Sequence, residues 1–251
     1  MSVSENIGPA NAMLRVEMTP GVMFPDWSAV TSETVRRGLE GIFERQDTAR
    51  RWDGLDDDED RVRRAILQHY LEAGYAPLPD DLARATGLDA GPVVERLNQR
   101  DIVALDDATR AITGAYPFTD RHSGHQVHVG ATTVNAMCAI DALGIGAMCG
   151  RDVTITSTCA RCAAPIGVVT SDRGRALEAV SPPDTVVWLG LAYEDGCAAN
   201  SLCRGINFYC SDDHLEAEIR GDITGHRLSL DEALEAGRAI FTPMLATGTG
   251  S

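Results

Sequence analysis

The segment A-M-C-A-I-D-A-L, residues 136–143, is the stretch around which this 251-residue chain is organised. It places Cys138 three residues before Asp141, among helix-forming residues with regularly spaced apolar side chains. Residues three apart share one face of a helix, so we expect the thiol and the carboxyl group to lie side by side. Thr132 or Thr133 is the expected cap, and the helix dipole should favour a thiolate. The alternative is a small buried cysteine beside a solvated charge.

The composition is acidic, with 22 Lys and Arg against 37 Asp and Glu and a formal net charge of −15. Such a chain repels phosphate backbones and anionic membrane surfaces, so we expect neither a nucleic-acid nor a membrane partner. There is no secretory signal pattern at the start and no apolar run long enough to span a bilayer. We therefore expect a cytoplasmic protein whose seven cysteines serve thiol or metal chemistry rather than disulfides.

The N-terminal segment predicts one amphipathic helix between less regular stretches. Residues 1–21 contain several breakers and are expected to be a loosely ordered lead-in. Residues 32–46 predict a helix capped by Ser32, which would be an accessory helix or, alternatively, a lid or a dimer contact. The acidic run at residues 53–60 is expected to be a solvated linker; a cation site is the alternative, although the run lacks the pattern of a calcium loop.

A winged-helix-like pattern follows the acidic run. It consists of predicted helices at 61–73, 79–86 and 90–99, then a hairpin formed by residues 102–105 and 110–112. Winged helices often bind DNA, which requires a basic surface. The third helix contributes only Glu95 and Arg96 as charged side chains before the hairpin, which carries Asp106 and Asp107. The sequence therefore does not favour DNA binding.

The remainder of the chain predicts a core of mostly antiparallel strands with helices, so the fold class is α+β. Strands are expected at 152–158, 165–170, 184–192 and 201–209, with helices starting at 211 and 229. The expected divisions are an extension and linker at 1–58, a winged-helix-like domain at 59–116, a catalytic core at 117–245 and a disordered tail at 246–251.

Three histidines, His122, His125 and His128, lie within seven positions and raise the question of a metal site. Their spacing fits neither one face of a helix nor one face of a strand. We therefore favour a hairpin that enters the core over a metal site.

The segment C-A-R-C, residues 159–162, falls at a turn between two predicted strands, as in a zinc knuckle. A closed zinc site needs two further ligands, and no second C-x-x-C is present. The available cysteines are Cys197, Cys203 and Cys210. Whether Cys159 and Cys162 bind a metal stays open from the sequence.

Three cysteine-containing segments together resemble the alkylmercury (organomercurial) lyase family. They are A-M-C-A-I-D at 136–141, S-T-C-A-R-C-A-A-P at 157–165 and S-L-C-R-G-I-N-F-Y-C-S at 201–211. They occur in the family's order and at similar separations. Cys138 and Cys203 match its two essential cysteines, and Cys159 matches its structural cysteine. The resemblance covers about residues 60–245, is weak in the first third, and includes a winged-helix-like domain that packs over the catalytic core.

The resemblance implies an organomercurial lyase with a role in mercury detoxification and resistance. Cys138 and Cys203 would hold mercury, and Asp141 would transfer the proton. The substrate would arrive as a thiol conjugate, and mercury(II) would be the product rather than a cofactor. No resident cofactor is expected, but external low-molecular-weight thiols are. The ion would pass to those thiols or to a mercuric reductase.

The chemistry fits this set of residues, because thiolates are the preferred protein ligands of a soft metal such as mercury(II). Two thiolates push electron density onto the carbon, and a nearby carboxylic acid can protonate it. Two positions depart from the family: Met137 replaces a common tryptophan, and Arg204 replaces a cysteine found in some relatives. The alternatives are a relative acting on a non-mercury carbon–heteroatom bond and a thiol-based metal-binding protein without turnover.

Overall fold

The computed structural model describes residues 14–193, 201–221 and 224–247. These residues form an α+β fold, which confirms the predicted class. The helices are α1 (Glu33–Arg45), α2 (Thr48–Arg51), α3 (Asp57–Ala73), α4 (Pro79–Thr86), α5 (Ala90–Gln99), α6 (Ala139–Cys149), α7 (Asp212–Ile219) and α8 (Leu230–Phe241). The strands are β1 (Val16–Thr19), β2 (Val22–Phe24), β3 (Val103–Leu105), β4 (Ile112–Ala115), β5 (Phe118–Thr119), β6 (Gln126–Val129), β7 (Thr132–Ala136), β8 (Thr154–Thr158), β9 (Pro165–Ser171), β10 (Ala176–Ser181), β11 (Val186–Leu189), β12 (Ile206–Tyr209) and β13 (His226–Ser229). Over these ranges no helix has the length and apolar character needed to cross a membrane.

The largest sheet is antiparallel and has eight strands in the order β10-β9-β8-β6-β7-β5-β4-β3. Its β3–β4 end is the hairpin predicted to follow the three helices, and β5 joins that hairpin to β7. The predicted division between residues 116 and 117 therefore falls inside one continuous sheet. A second antiparallel sheet has the order β12-β11-β13.

The expected loose lead-in is wrong for the part of it that the structure describes. Residues 16–24 form the hairpin β1–β2, in which Met18 and Phe24 are fully buried. Period-two burial of these apolar residues outweighs the turn residues Pro20 and Gly21, which form the tip of the hairpin. Residues 1–13 and residues 248–251 of the expected tail lie outside the described part of the chain.

Helix α1 is the amphipathic helix expected in the N-terminal extension. The Ser32 hydroxyl caps it by accepting a hydrogen bond from the amide of Val35 at 3.4 Å, and the Ser32 hydroxyl also donates to Glu232 at 2.7 Å. The amides of Thr31 and Ser32 both donate to Glu235 on α8, at 2.7 and 2.8 Å. The helix is therefore anchored at its start and packs its apolar face against the core.

The acidic run is not a solvated linker, because its second half begins α3. Asp56 and Glu59 form a capping box, in which each side chain accepts a hydrogen bond from the other residue's backbone amide, at 2.7 and 3.1 Å. Acidic side chains also interact favourably with the positive end of a helix dipole. Glu59 is buried and accepts hydrogen bonds from Arg100 at 3.1 Å, so its carboxylate already has a cationic partner.

Helices α3, α4 and α5 and the β3–β4 hairpin occur in the predicted order. Asn98 on α5 donates to the carbonyl of Val103 at 2.8 Å, which fixes the helix against the first strand of the hairpin. Glu95 on the same helix is paired with Arg110 in the hairpin turn, with a distance of 3.0 Å from Nε to Oε1. The winged-helix assignment itself stays a prediction.

Helix α6 is the centre of the core, since its residues 139–148 are all buried. It packs closely against α8 through a pair of glycines. A Cβ atom added at Gly144 would lie 2.2 Å from the ring of Phe241 and 2.8 Å from the carbonyl oxygen of Gly237. The two helix backbones approach closely because neither glycine has a side chain.

We expect Gly144→Ala to destabilise the protein by about 1–3 kcal/mol, the usual cost of overpacking a core. Gly91, on the exposed face of α5, is the matched control, because a Cβ there meets only a side-chain oxygen at 3.7 Å. Gly91→Ala should be neutral or stabilising by up to about 1 kcal/mol. Urea unfolding of both variants measures this; equal stabilities would contradict the close packing of α6 on α8.

Candidate active site

Cys138 lies at the junction where the chain leaves β7 and enters α6. It is itself the N-cap, and its sulfur accepts a hydrogen bond from the amide of Asp141 at 3.4 Å. The expectation that Thr132 or Thr133 caps the helix is wrong, since both belong to β7. That strand extends further than expected because its alternating pattern pairs with β6. The thiol thus takes the place usually held by a hydroxyl or carboxylate oxygen.

Cys203 reaches the same point from a distant part of the chain. It lies in the 3₁₀ turn Leu202–Gly205, which precedes β12, rather than at the start of that strand as expected. Its thiol makes a long contact of 3.9 Å with the Oδ2 atom of Asp141. The two sulfurs and a carboxylate oxygen all lie within 4.8 Å of one another. The structure therefore brings the three sequence-predicted residues Cys138, Asp141 and Cys203 together.

Burial dominates the electrostatics of this triad. Cys138, Asp141 and Cys203 are only 2, 5 and 6% exposed. Loss of water raises the pKa of Asp141 to about 7, although hydrogen bonds from its neighbours partly oppose this rise. The pKa of Cys138 is raised well above its usual range, first by burial and then by the nearby Cys203 and Asp141. The position at the helix N-terminus does not outweigh burial, so the expected preference for a thiolate at Cys138 is not met.

A small cavity of about 40 Å³, called the inner cavity below, adjoins the triad. Its lining is mostly apolar, and α1 contributes Ile42 and Phe43, followed by its C-cap residue Gln46. Trp52 and Phe241 also line the cavity. The N-terminal extension therefore forms part of the site wall. Sequence reasoning missed this role, because the buried face of α1 is indistinguishable from that of any amphipathic helix.

A larger groove of about 310 Å³, called the outer groove below, also borders Cys203. Met137 and Arg204, the two departures from the family pattern, both line it. Arg121 adds a second guanidinium group to the lining. Cys203 borders both the outer groove and the inner cavity. Its sulfur is therefore placed between the surface and the buried carboxyl group.

The three histidines do not converge on one point. His125 is buried and pairs through Nδ1 with the hydroxyl of Ser157 at 2.9 Å, whereas the Nδ1 atom of His128 pairs with Thr133 at 2.9 Å. Burial lowers the pKa of His125 to about 4. The favoured interpretation placed the hairpin within residues 117–129, which is wrong, because β5 and β6 both pair with β7 and not with each other. The hairpin next to α6 consists of β6 and β7.

A second group of ligand-type side chains lies outside the triad. Cys159 and Cys162 meet Cys210 and His214, and one ligand atom of each lies within 4.8 Å of the others. Sequence reasoning had considered Cys210 but missed His214, which follows Cys210 by four residues and lies in the first turn of α7. The other candidate, Cys197, lies outside the described residues.

Comparisons with known proteins identify similar chains. The family model described as alkylmercury lyase (MerB) matches residues 118–242. The chain is 27% identical over 180 residues to alkylmercury lyases of Bacillus cereus and Clostridium butyricum, covering 71% of this chain and 80% of each relative. A relative from Staphylococcus epidermidis is 26% identical over 176 residues, covering 70% of this chain and 79% of its own length.

The fold is similar to that of a solved structure described as the mercury-bound form of MerB2. The TM-score is 0.66 at 24% sequence identity, and the match covers 86% of this chain and all of that chain. The family model and the three curated relatives define the class of this protein as a lyase. The chain belongs to the alkylmercury lyase family.

We expect the carboxyl group of Asp141 to titrate near pH 7, because its burial disfavours the charged form. Carbon-13 NMR of aspartate-labelled protein measures this, and Asp141→Asn identifies the signal by its disappearance. Asp81, which is half-buried and has a pKa lowered by a backbone hydrogen bond, is a contrasting signal in the same spectra. A midpoint for Asp141 close to 4 would contradict the proposed effect of burial.

Proposed function

We propose that the protein cleaves carbon–mercury bonds by protonolysis, using Cys138 and Cys203 to hold mercury and Asp141 to transfer the proton. The observation that supports this proposal most directly is the buried convergence of two thiols and one carboxyl group within 4.8 Å. Thiolates are the best protein ligands for a soft ion, and a carboxyl group is the group that can carry a proton to carbon. The products are a hydrocarbon and mercury(II).

The first step is a thiol exchange. The substrate arrives as a conjugate in which mercury carries one carbon group and one small thiolate. A cysteine sulfur of the protein forms a bond to mercury, the bond to the small thiolate breaks, and the small thiol leaves with the cysteine's proton. The outer groove beside Cys203 suits such a conjugate, since Arg121 and Arg204 can attract an anionic thiol carrier.

The second step transfers the proton. As the second cysteine binds mercury, its proton passes to the carboxylate of Asp141, which then delivers it to the carbon. The carbon–mercury bond breaks, its electron pair takes the proton, and mercury stays bound to two sulfurs. Since Cys203 meets the conjugate first, the second cysteine is Cys138, and its sulfur lies within 4.8 Å of a carboxylate oxygen of Asp141.

A pKa of about 7 suits Asp141 to this double role. A carboxyl group with an ordinary pKa near 4 would hold its proton too weakly to accept one from a thiol. Burial brings the pKa of the carboxyl group closer to that of a thiol, so the transfer of a proton from the thiol to the carboxylate costs less free energy. Low local polarity also strengthens the interaction between the carboxyl proton and the developing charge on carbon.

The cycle closes when external thiols remove mercury(II). Low-molecular-weight thiols exchange with Cys203 at the groove, and a mercuric reductase is a further acceptor. The reaction as proposed needs no resident cofactor, and it would serve mercury detoxification in the cytoplasm. The formal charge of −15 continues to argue against nucleic-acid and membrane partners.

The decisive measurement is hydrocarbon release from methylmercury or phenylmercury in excess small thiol, detected by gas chromatography. Cys138→Ser, Cys203→Ser and Asp141→Asn should each reduce release by at least about 100-fold, in the range expected for loss of an acid–base or binding group. Asp141→Asn should still bind mercury, because both sulfurs remain.

Cys149→Ser is the matched control, since Cys149 is a half-buried cysteine on the same helix that lies outside the triad. It should retain full release. If wild-type protein binds mercury tightly but releases no hydrocarbon, the binding alternative replaces the lyase. If it neither binds nor cleaves organomercurials, the alternative of a non-mercury substrate is favoured.

The small inner cavity leads to a prediction about substrate size. Ile42→Ala should enlarge the cavity and raise the rate with phenylmercury relative to methylmercury. Leu39→Ala is its control: Leu39 is also buried on α1 but does not line the cavity. Both variants should lose about 2–5 kcal/mol of stability, so rates are compared where both remain folded. If Ile42→Ala and Leu39→Ala changed the ratio of the phenylmercury rate to the methylmercury rate equally, that result would contradict the proposal that α1 limits substrate size at the cavity.

A further inference from the structure

The cluster formed by Cys159, Cys162, Cys210 and His214 has the dimensions of a metal site. The Nδ1 atom of His214 lies 3.0 Å from the sulfur of Cys210 and 3.7 Å from that of Cys159. The sulfurs of Cys162 and Cys210 are 3.8 Å apart. Tetrahedral zinc, with Zn–S bonds of about 2.3 Å and Zn–N bonds of about 2.0 Å, places its ligands about 3.5–3.8 Å apart. Small rotations of these side chains would centre all four on one ion.

One half of the cluster is a tight turn between β8 and β9. The amide of Cys159 donates to the carbonyl of Ala164 at 2.8 Å, and the amide of Ala163 donates back to Cys159 at 2.9 Å. The turn holds Cys159 and Cys162 close together, and a thiol that loses its proton becomes the thiolate that binds metals.

The other half is the junction between β12 and α7. Cys210 follows the last residue of the strand, and His214 lies in the first turn of the helix, which Ser211 caps. The Sγ atom of Cys210 and the Nδ1 atom of His214 meet at this junction, 3.0 Å apart. The amide of Ala160 donates to the carbonyl of Phe208 at 3.0 Å and holds the two halves together. The backbone therefore positions all four side chains.

We propose that Cys159, Cys162, Cys210 and His214 bind one structural Zn²⁺ ion, separate from the mercury-binding triad. Three thiolates and one imidazole are a donor set that suits zinc, and four protein ligands leave no open position for catalysis. Zinc replaces the protons of the thiols, which pass to the solvent. The site adds a resident metal that was not expected for the reaction, and its role is to fasten the β8–β9 turn to the end of β12.

This position links the zinc site to the lyase site through a short strand. Cys203 lies in the turn that precedes β12, and Cys210 follows the end of the same strand. Zinc would therefore hold one end of the segment whose other end carries the mercury-binding thiol. The proposed metal stabilises the fold locally, and it takes no part in proton transfer.

The first test is the metal content of full-length protein produced without mercury and desalted in the presence of EDTA. We expect one zinc per chain by inductively coupled plasma mass spectrometry. Cys162→Ser and His214→Ala should lose this zinc, whereas Cys149→Ser and Cys138→Ser should keep it. Cys162 is exposed, so its replacement has little effect on packing by itself. Zinc content does not depend on lyase activity, so the two proposals fail separately.

A second measurement covers the case in which a variant folds poorly. Wild-type protein refolded with Co²⁺ should show the intense visible absorption of a tetrahedral thiolate site, which added zinc should abolish. Removal of zinc should lower Tm by several degrees. Zinc below about 0.2 per chain, zinc that EDTA strips without a change in Tm, or a disulfide between Cys162 and Cys210 found by mass spectrometry would each overturn the proposal.

Discussion

The burial of one carboxyl group between two thiols is the constraint on which the rest of this structure depends. A buried carboxylate without a partner is unfavourable, so burial favours the protonated form of Asp141. The surrounding residues must therefore exclude water from the carboxyl group and still allow it to gain and lose a proton. Close surroundings come from α6, which is buried along its length, and from the Gly144–Gly237 contact with α8. The raised pKa of Asp141 follows from this packing.

Cys138 has two roles that a hydroxyl-bearing residue could not combine. As the N-cap of α6 it accepts the amide of Asp141, although sulfur is a weaker acceptor than oxygen. Before substrate binds, the negative charge of a Cys138 thiolate would have no partner, so burial keeps the thiol protonated. A thiolate bound to mercury shares its charge with the metal, and the helix N-terminus then favours it. The same cap therefore has its largest effect after substrate binding.

Much of the fold was predictable because local patterns agree with tertiary structure. The helix at 32–46, the three helices before the hairpin and the Ser229 capping box all follow from periodicity and capping residues. Local sequence patterns gave wrong expectations where strand pairing or helix capping determines the structure instead. Strand pairing extends β7 through the expected caps Thr132 and Thr133, and the Asp56–Glu59 box turns an acidic run into the start of a helix.

The site was predictable in part for a similar reason. Cys138 and Asp141 are near in sequence, and Cys203 was placed beside them only through the family resemblance. No short-range pattern shows that α1 lines the cavity, because α1 meets Cys203 there, about 160 residues further along the chain. Nor does one show that His214 meets Cys159, because these two residues are 55 positions apart. Long-range contacts of this kind depend on the packed core rather than on any motif.

The continuous sheet has a mechanical consequence. Strands β3 and β4 are hydrogen-bonded through β5 into the same sheet that carries β7 and β9, so the helical part cannot swing away without breaking sheet hydrogen bonds. Helix α1 is attached differently, through side chains and a few polar contacts to Glu232 and Glu235. Displacing α1 from the wall of the inner cavity would therefore break no sheet hydrogen bonds, whereas displacing the β3–β4 hairpin would.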